Sequence, residues 1–304
     1  MNEVLKLGMV GLDTSHCPAF AELLHNEEGE HYVDGGRITA AYPGGSELFS
    51  KSIERVEGFT EKLREQYGVC IVDSVEEAAE GVDAVFLESV DGRQHLEQFE
   101  KIAPFGKPVF IDKPLATSLS EAERIMELSE KYGSPVFSCS AIRYASGIAE
   151  LGSGENAAGC ITYGPVDVLD DYPGYFWYGV HCAEVLFSKM GSGCREVSVN
   201  RAGIADVITG KWSDGRVGAV YGYRIEGVGR FGCTIFAGGG TETGEAGGTP
   251  PYYALMLPEI IRFFRTGETP VSKGEMLEIV AFLEAAGESR QTGRAAEPTI
   301  QKRP

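Results

Sequence analysis

Short apolar runs alternate with amphipathic stretches over the first 140 residues. The apolar runs are Val4–Val10, Arg37–Ala41, Val69–Val72, Val82–Leu87, Pro108–Ile111 and Pro135–Ser138. The stretches with helical spacing of apolar positions are Ser15–Asn26, Glu47–Tyr67, Ser74–Glu80, Gln94–Pro104 and Ser118–Tyr132. Runs that are apolar throughout are typical of strands buried on both faces of a sheet. The alternation predicts a doubly wound parallel sheet with flanking helices over residues 1–140.

The pattern changes over residues 141–304, where strands are joined by direct turns. The predicted strands are Val166–Asp170, Glu196–Ala202, Ile204–Trp212, Val217–Arg224 and Phe231–Ala237. Helices are predicted at Phe176–Met190, Tyr252–Arg265 and Lys273–Ser289. Such a pattern predicts a second, α+β domain with an open antiparallel sheet. The glycine-rich stretch Gly238–Gly248 is interpreted as a flexible surface loop, with a mobile lid as the alternative.

Composition narrows the possible partners of this 304-residue chain. It carries 27 Lys and Arg against 45 Asp and Glu, which gives a net charge of −18. Because such a surface repels phosphate backbones, we do not expect nucleic acid as a partner. No run is long enough for a membrane span, and no signal sequence stands at Met1. The seven cysteines are scattered without a CxxC pair, which favours reduced thiols and a cytoplasmic location. Small molecules and other proteins remain as partners.

The turn after the first predicted strand departs from the dinucleotide-binding pattern Gly-x-Gly-x-x-Gly. The segment runs from Gly8 to His16, and aligned on Gly11 it has Asp13 and His16 in place of the second and third glycines. Either Asp13 caps the helix with Thr14 and Ser15 and leaves room for a displaced cofactor, or the crevice has lost the usual dinucleotide site. The second strand ends without the acidic residue that binds an adenosine ribose, so NAD and NADP stay equally open.

Later segments carry a family resemblance. Residues 82–87, His95 and the segment 105–118 with Asp112-Lys113-Pro114, together with Gly179-Val180-His181, resemble the glucose-fructose oxidoreductase/inositol dehydrogenase (Gfo/Idh/MocA) family. The resemblance extends to the C-terminal helices and covers nearly the whole chain. It implies a Rossmann domain, an α+β domain whose sheet often forms an oligomer contact, and hydride transfer between NAD or NADP and a secondary alcohol of a sugar, sugar acid or cyclitol.

The resemblance also implies roles for individual residues. Lys113 and His181 are the expected proton-handling pair, since both residue types can exchange a proton when suitably placed. Trp177 stands where many members have an acidic partner of the histidine, and Asp170 or Asp171 is a possible substitute. The expected cofactor-binding residues are Gly8, Gly11, Asp13, Thr14, Ser15, His16 and Asp112. Residue type and position, apart from the resemblance, suggest Arg143, Tyr175 and Trp177 as substrate-binding residues.

The remaining alternatives concern metal and reaction type. The pairs His16-Cys17 and His181-Cys182 invite a metal hypothesis, but adjacent residues rarely bind one ion together, and we expect no metal. The altered motifs are also compatible with redox-neutral chemistry on a carbohydrate. A non-catalytic ligand-binding protein of the same fold is the further alternative.

Overall fold

The computed structural model describes residues 3–152 and 157–300. Two compact units divide the chain. Unit one contains the chain up to Ala116 together with Ser120–Cys139 and Tyr253–Val271. Unit two contains Thr117–Leu119, Ser140–Tyr252 and the chain from Ser272 onward. No helix among the described residues is long and apolar enough to cross a membrane.

Unit one is built on a six-stranded sheet in the order β3-β2-β1-β4-β5-β6, with every recorded pair parallel. Its strands are β1 (Leu5–Val10), β2 (Gly36–Tyr42), β3 (Cys70–Ile71), β4 (Ala84–Leu87), β5 (Val109–Ile111) and β6 (Val136–Phe137). Its helices are α1 (His16–His25), α2 (Ser50–Ile53), α3 (Val56–Tyr67), α4 (Val75–Ala79), α5 (His95–Ile102) and α6 (Leu119–Tyr132). The predicted doubly wound sheet is confirmed.

Aromatic side chains fill the core of unit one. Phe86 on β4 contacts Phe110 on β5 and Phe264, with ring centroids 6.1 and 5.1 Å apart. Phe264 belongs to helix α8 (Tyr252–Thr266), which from Tyr253 onward lies in this unit although it follows unit-two strands in the chain. Gly8 lies within β1, where a side chain would collide with the backbone carbonyl of Ala78 on α4. This close packing accounts for a glycine there.

Unit two contains a second six-stranded sheet, in the order β12-β11-β7-β10-β9-β8. Its strands are β7 (Ala157–Pro165), β8 (Cys194–Arg201), β9 (Ala205–Trp212), β10 (Val217–Tyr223), β11 (Gly232–Ala237) and β12 (Gly240–Glu245). Helices α7 (Gly179–Met190) and α9 (Lys273–Thr292) belong to the same unit. The sheet is mixed, because β7 and β10 pair in parallel. The long connection through α7, β8 and β9 permits that pairing, which the expected antiparallel arrangement did not include.

Two sequence predictions for unit two are wrong. Residues 166–170 form no strand; the ladder ends at Pro165, and the N–H of Val166 bonds to the carbonyl of Tyr223. The strand there is β7, whose small and polar residues hide its alternation of buried and exposed positions. Residues 240–245 of the predicted glycine-rich loop form β12, which pairs with β11 along its whole length. The hydroxyls of Thr234 and Thr243 lie 3.0 Å apart across that pair.

Candidate functional site

Strand β1 ends in a turn that only glycine can begin. Gly11 has φ of +85°, and a side chain there would collide with Ser89 after β4. The N–H of Gly11 donates to the carbonyl of Tyr42 at 2.9 Å, and that of Leu12 donates to Pro43 at 2.7 Å. Both acceptors lie at the end of β2, so these bonds fix the turn to that strand.

Asp13 connects three loops from a fully buried position. Its Oδ2 accepts a 2.6 Å hydrogen bond from Oγ of Ser52, and its Oδ1 accepts a 2.8 Å bond from the N–H of Val90. Burial raises the pKa of Asp13, although the Ser52 and Val90 bonds act against it. The alternative in which Asp13 caps helix α1 is wrong, because its two oxygens bind Ser52 on α2 and the N–H of Val90 after β4 instead.

The beginning of α1 fits an anionic group. Ser15 is the N-cap residue, makes no side-chain capping bond, and no acidic residue lies in the first turn. The first N–H groups of a helix lack intrahelical partners and attract phosphate. The Asp13 carboxylate is held by Ser52 and Val90 and does not occupy this helix start. The helix start and the Gly11 turn therefore fit the pyrophosphate of a dinucleotide. Thr14 is buried here and Ser15 is exposed.

A buried cluster lies where β4, β5 and α1 meet, formed by His16, Glu88 and Asp112. Nδ1 of His16 is 3.0 Å from Oδ1 of Asp112 and 3.6 Å from Oε2 of Glu88. Burial acts to lower the pKa of His16, but the two carboxylates outweigh burial and raise this pKa to about 8. Burial, reinforced by the charge of Asp112, raises the pKa of Glu88 to about 7. Burial would also raise the pKa of Asp112, but His16 and Lys113 hold it below its usual range.

Lys113 follows Asp112 at the carboxyl end of β5 and is 6% exposed. Its Nζ lies 3.5 Å from Oδ2 of Asp112. His95 is fully buried and holds the following turn, since its Nδ1 is 2.9 Å from the carbonyl oxygen of Pro114 and its Nε2 is 2.8 Å from that of Ser89. The ends of β4 and β5 are thus tied together beside Lys113. His95 acts on the position of this turn.

The end of β2 carries polar bonds in place of the missing acid. Oγ of Ser46 donates a 2.6 Å hydrogen bond to Oδ2 of Asp91. Arg93 binds the same carboxylate through Nε at 2.8 Å and through its terminal nitrogen at 2.9 Å. Gln94 donates to the carbonyl oxygen of Gly45 at 3.0 Å. These contacts connect the loop after β2 to the loop after β4.

His181 lies in unit two, in the first turn of α7. Its Nδ1 is 2.7 Å from Oγ of Ser140, and its ring contacts Tyr178 and Phe231 at centroid distances of 5.4 and 5.2 Å. The serine and the two aromatic rings fix the orientation of the imidazole. Trp177 is 9% exposed and makes edge contacts with Tyr172 and Tyr178. Asp170, a suggested substitute for the family acid, is exposed.

Arg143 and Tyr175 have structural contacts that compete with their expected role in substrate binding. The guanidinium of Arg143 binds Glu184 on α7 at 2.8 Å and Glu275 on α9 at 2.6 Å, all within unit two. Tyr175 is completely buried, and its hydroxyl donates a 2.8 Å bond to Asp206. A substrate could reach neither ring face of Tyr175 in this structure, so its expected stacking role is corrected.

Glu88 is the residue of the cluster that sequence reasoning missed. It directly follows the buried strand β4, at the edge where ligand sites of parallel sheets lie. That position is the signal that could have found it. The adjacent thiols are packing groups: Cys17 donates to the carbonyl of Gly11 at 3.2 Å, and Cys182 is buried with a raised pKa.

Comparison with known proteins agrees with this geometry. The strand order and the Gly11 turn define unit one as a dinucleotide-binding domain of the Rossmann type. Residues 6–139 match the GFO_IDH_MocA family, described as an oxidoreductase family with an NAD-binding Rossmann fold. This match confirms, over residues 6–139, the family resemblance noted in the sequence. The comparison with curated proteins found no match.

Several solved structures share the fold over nearly the whole chain. Myo-inositol dehydrogenase from Lactobacillus casei, in complex with NAD(H) and myo-inositol, aligns with a TM-score of 0.77 at 16% identity, covering 99% of each chain. A probable dehydrogenase from Thermotoga maritima has a TM-score of 0.76 at 18% identity, covering 97% of this chain and 99% of that one. Apo scyllo-inositol dehydrogenase from Lactobacillus casei has a TM-score of 0.77 at 14% identity, covering 98% of this chain and 99% of that one.

Proposed function

We propose that the protein transfers a hydride between NAD or NADP and a secondary alcohol of a sugar, sugar acid or cyclitol. The observation that carries the proposal is the buried Lys113, held beside Asp112 at the carboxyl end of β5. The fold shared with inositol dehydrogenases supports a polyol substrate. The uncapped start of α1 and the Gly11 turn support dinucleotide binding.

Oxidation of an alcohol releases a proton from oxygen as hydride leaves carbon, and the protein must accept that proton. A bound nicotinamide supplies the hydride acceptor. Nζ of Lys113 exchanges this proton with the substrate oxygen, and the nearby Asp112 carboxylate stabilises the ammonium form. In the reverse direction Lys113 donates the proton to the carbonyl oxygen. His95 positions Lys113 by holding the carbonyl of Pro114.

His181 is proposed as the second proton-handling residue, on the basis of its match to the family signature. Its bond to Ser140 fixes which way the ring faces and engages Nδ1. Nε2 is the nitrogen proposed to exchange a proton with a substrate hydroxyl. The proposed assembly is a homo-oligomer formed through the sheet of unit two.

Titration calorimetry with NAD, NADH, NADP and NADPH tests the first part of the proposal. It follows a check for nicotinamide absorbance in denatured protein, which detects cofactor retained through purification. A polyol panel that includes myo-inositol, followed by nicotinamide absorbance, then tests turnover. No binding and no retained cofactor would refute the dehydrogenase proposal and favour the redox-neutral or ligand-binding alternative.

Lys113→Met tests the mechanism, with Lys107→Met as the matched control. Lys107 directly precedes Pro108 at the opposite, amino end of β5. We expect Lys113→Met to lower kcat by ~10²–10⁴-fold, which is the usual contribution of a general acid–base group. Cofactor affinity should stay within about twofold of that of the unaltered chain. The Lys107 variant should retain activity. Full turnover by Lys113→Met would disprove the assigned role.

A further inference from the structure

The cluster of His16, Glu88 and Asp112 leaves buried polar atoms without partners. Among the residues that the structure describes, both oxygens of Glu88, both oxygens of Asp112 and Nδ1 of His16 have no hydrogen-bond partner. Glu88 is 0% exposed, Asp112 1% and His16 5%. Buried carboxylates without hydrogen bonds are costly, and native structures rarely leave them so.

The positions of these atoms suit one small cation. One donor atom from each of the three side chains lies within 4.8 Å of the other two. Ligand atoms about 2.1 Å from an ion lie about 3 Å apart at right angles and about 4.2 Å apart when opposite. The measured separations of 3.0 and 3.6 Å from Nδ1 of His16 agree with that range.

An ion pair between His16 and the two carboxylates explains less of this geometry than a bound metal ion does. Nδ1 of His16 is 3.0 Å from Asp112, yet the direction of its N–H does not meet the requirements of a hydrogen bond. Lys113 approaches Oδ2 of Asp112, which leaves Oδ1 on the side of His16. Two buried carboxylates therefore face an imidazole without the bonds that a protonated ring would make.

The surrounding structure holds the three donors in place. Glu88 directly follows β4 and Asp112 directly follows β5, and these strands are adjacent in the sheet. The His16 ring packs against Tyr253 at 4.8 Å and Phe20 at 5.7 Å between ring centroids. Donors fixed on strand ends and by ring packing need little reorganisation to bind an ion.

We propose that Nδ1 of His16, a carboxylate oxygen of Glu88 and Oδ1 of Asp112 bind a divalent first-row metal ion, in the range from Mn²⁺ to Zn²⁺. One imidazole and two carboxylates suit these ions, whereas Ca²⁺ and Mg²⁺ favour oxygen ligands alone. Three protein ligands leave at least one coordination position for water or for an oxygen atom of a small molecule. The site differs from the His–Cys pairs suggested by sequence, because its other ligands are Glu88, which follows β4, and Asp112, which follows β5.

Metal binding is tested on the full chain, freed of metal with a chelator and titrated with MnCl₂. Calorimetry gives stoichiometry and affinity, and electron paramagnetic resonance of Mn²⁺ reports the change from hydrated to bound ion. We expect one ion per chain with a Kd of ~1–100 μM, and affinity lowered at least ~10-fold, or ~1.4 kcal/mol, in Glu88→Gln and in His16→Gln. ZnCl₂ is titrated in parallel.

Asp13→Asn is the matched control, because Asp13 is another buried carboxylate in the same turn but outside the cluster. It should bind Mn²⁺ as the unaltered chain does, and near-ultraviolet circular dichroism checks that each variant is folded. Two results would overturn the proposal: no binding of Mn²⁺ or Zn²⁺ by the unaltered chain, or equal affinity in all folded variants. If the unaltered chain binds neither ion but still binds cofactor and turns over substrate, the proposed function stands while this site fails.

Discussion

Oδ2 of Asp13 lies 2.6 Å from Oγ of Ser52, and the two residues join the turn after β1 to the short helix that follows β2. The other oxygen of the same carboxylate holds the N–H of Val90 after β4. An acid at a position where the dinucleotide-binding pattern has glycine thus connects the turn after β1 to helix α2 and to the loop after β4. Its side chain points into the protein, so the helix start beside it stays open to an anion.

Replacement of Asp13 by alanine should destabilise the protein by about 2–3 kcal/mol, because two buried donors lose a charged acceptor. Asp13→Asn should lose less, since its amide oxygen can keep one bond. Urea unfolding followed by circular dichroism measures both. Asp83→Ala is the control, because Asp83 also accepts a backbone N–H, from Lys6 at 2.7 Å, but is exposed. Equal losses in the Asp13 and Asp83 alanine variants would contradict the structural role.

The first sheet can be predicted from sequence because its strands are apolar on both faces and alternate with amphipathic helices. β7 and β12 could not be predicted in the same way. β7 is composed largely of small and polar residues, and β12 lies in a glycine-rich stretch, so pairing with neighbouring strands decides both.

The residues of the candidate site likewise differ in how far the sequence predicts them. Asp112 and Lys113 could be found from their motif, because motif and strand end coincide. The contacts of Glu88 with His16 arise between distant parts of the chain, and no local spacing encodes them. Arg143 and Tyr175 were assigned to substrate by residue type alone, and only the folded chain shows the acids that bind them.

His25 should make stability depend on pH in the mildly acidic range. Its Nε2 accepts a 3.0 Å bond from the N–H of Ile38, which requires a neutral ring at that nitrogen. Burial, with a contribution from the charge of Arg37, lowers the pKa of His25 to about 4. An unfolded histidine titrates near pH ~6.5, so the unfolded chain binds more protons between these values. Stability is therefore full above about pH 6.5 and falls as pH decreases towards 4.

We expect this group to contribute on the order of 1 kcal/mol to the difference in stability between pH 7 and pH 5, after allowance for its partial exposure. Urea unfolding of the unaltered chain and of His25→Gln at both pH values measures it, since the variant should show the smaller decrease. His31→Gln changes another histidine of unit one and serves as the control. The same decrease in all three proteins would show that His25 has no part in it.

Arg143 should be needed for the stability of unit two. It is the cation between Glu184 and Glu275, and burial raises the pKa of Glu184 while Arg143 opposes that rise. Arg143→Met leaves two acids close together and should cost ~3–5 kcal/mol. The triple variant Arg143→Met, Glu184→Gln, Glu275→Gln removes the charges and should recover part of that loss. Thermal unfolding compares the stability of the two variants with that of the unaltered chain. An Arg143→Met variant as stable as the unaltered chain would refute the argument.

The outward face of the second sheet should form the contact in the proposed homo-oligomer. Ile161 on β7, Val217 and Tyr221 on β10, and Phe236 on β11 are 39–48% exposed, although all are large and apolar. Pairing of β7 with both β10 and β11 places the three strands side by side. Apolar side chains gathered on one face of this kind are typical of protein interfaces. We therefore expect the unaltered chain to be oligomeric by light scattering.

A charge placed on this face should separate the subunits. Ile161→Asp combined with Tyr221→Lys puts ionised groups where apolar ones would be buried, and size-exclusion chromatography with light scattering should then give the monomer mass. Ile204→Asp is the control, since Ile204 is 62% exposed but lies between β8 and β9, outside the face. It should keep the oligomer. A monomeric unaltered chain, or an oligomer that survives the double substitution, would show that this sheet face is not the contact.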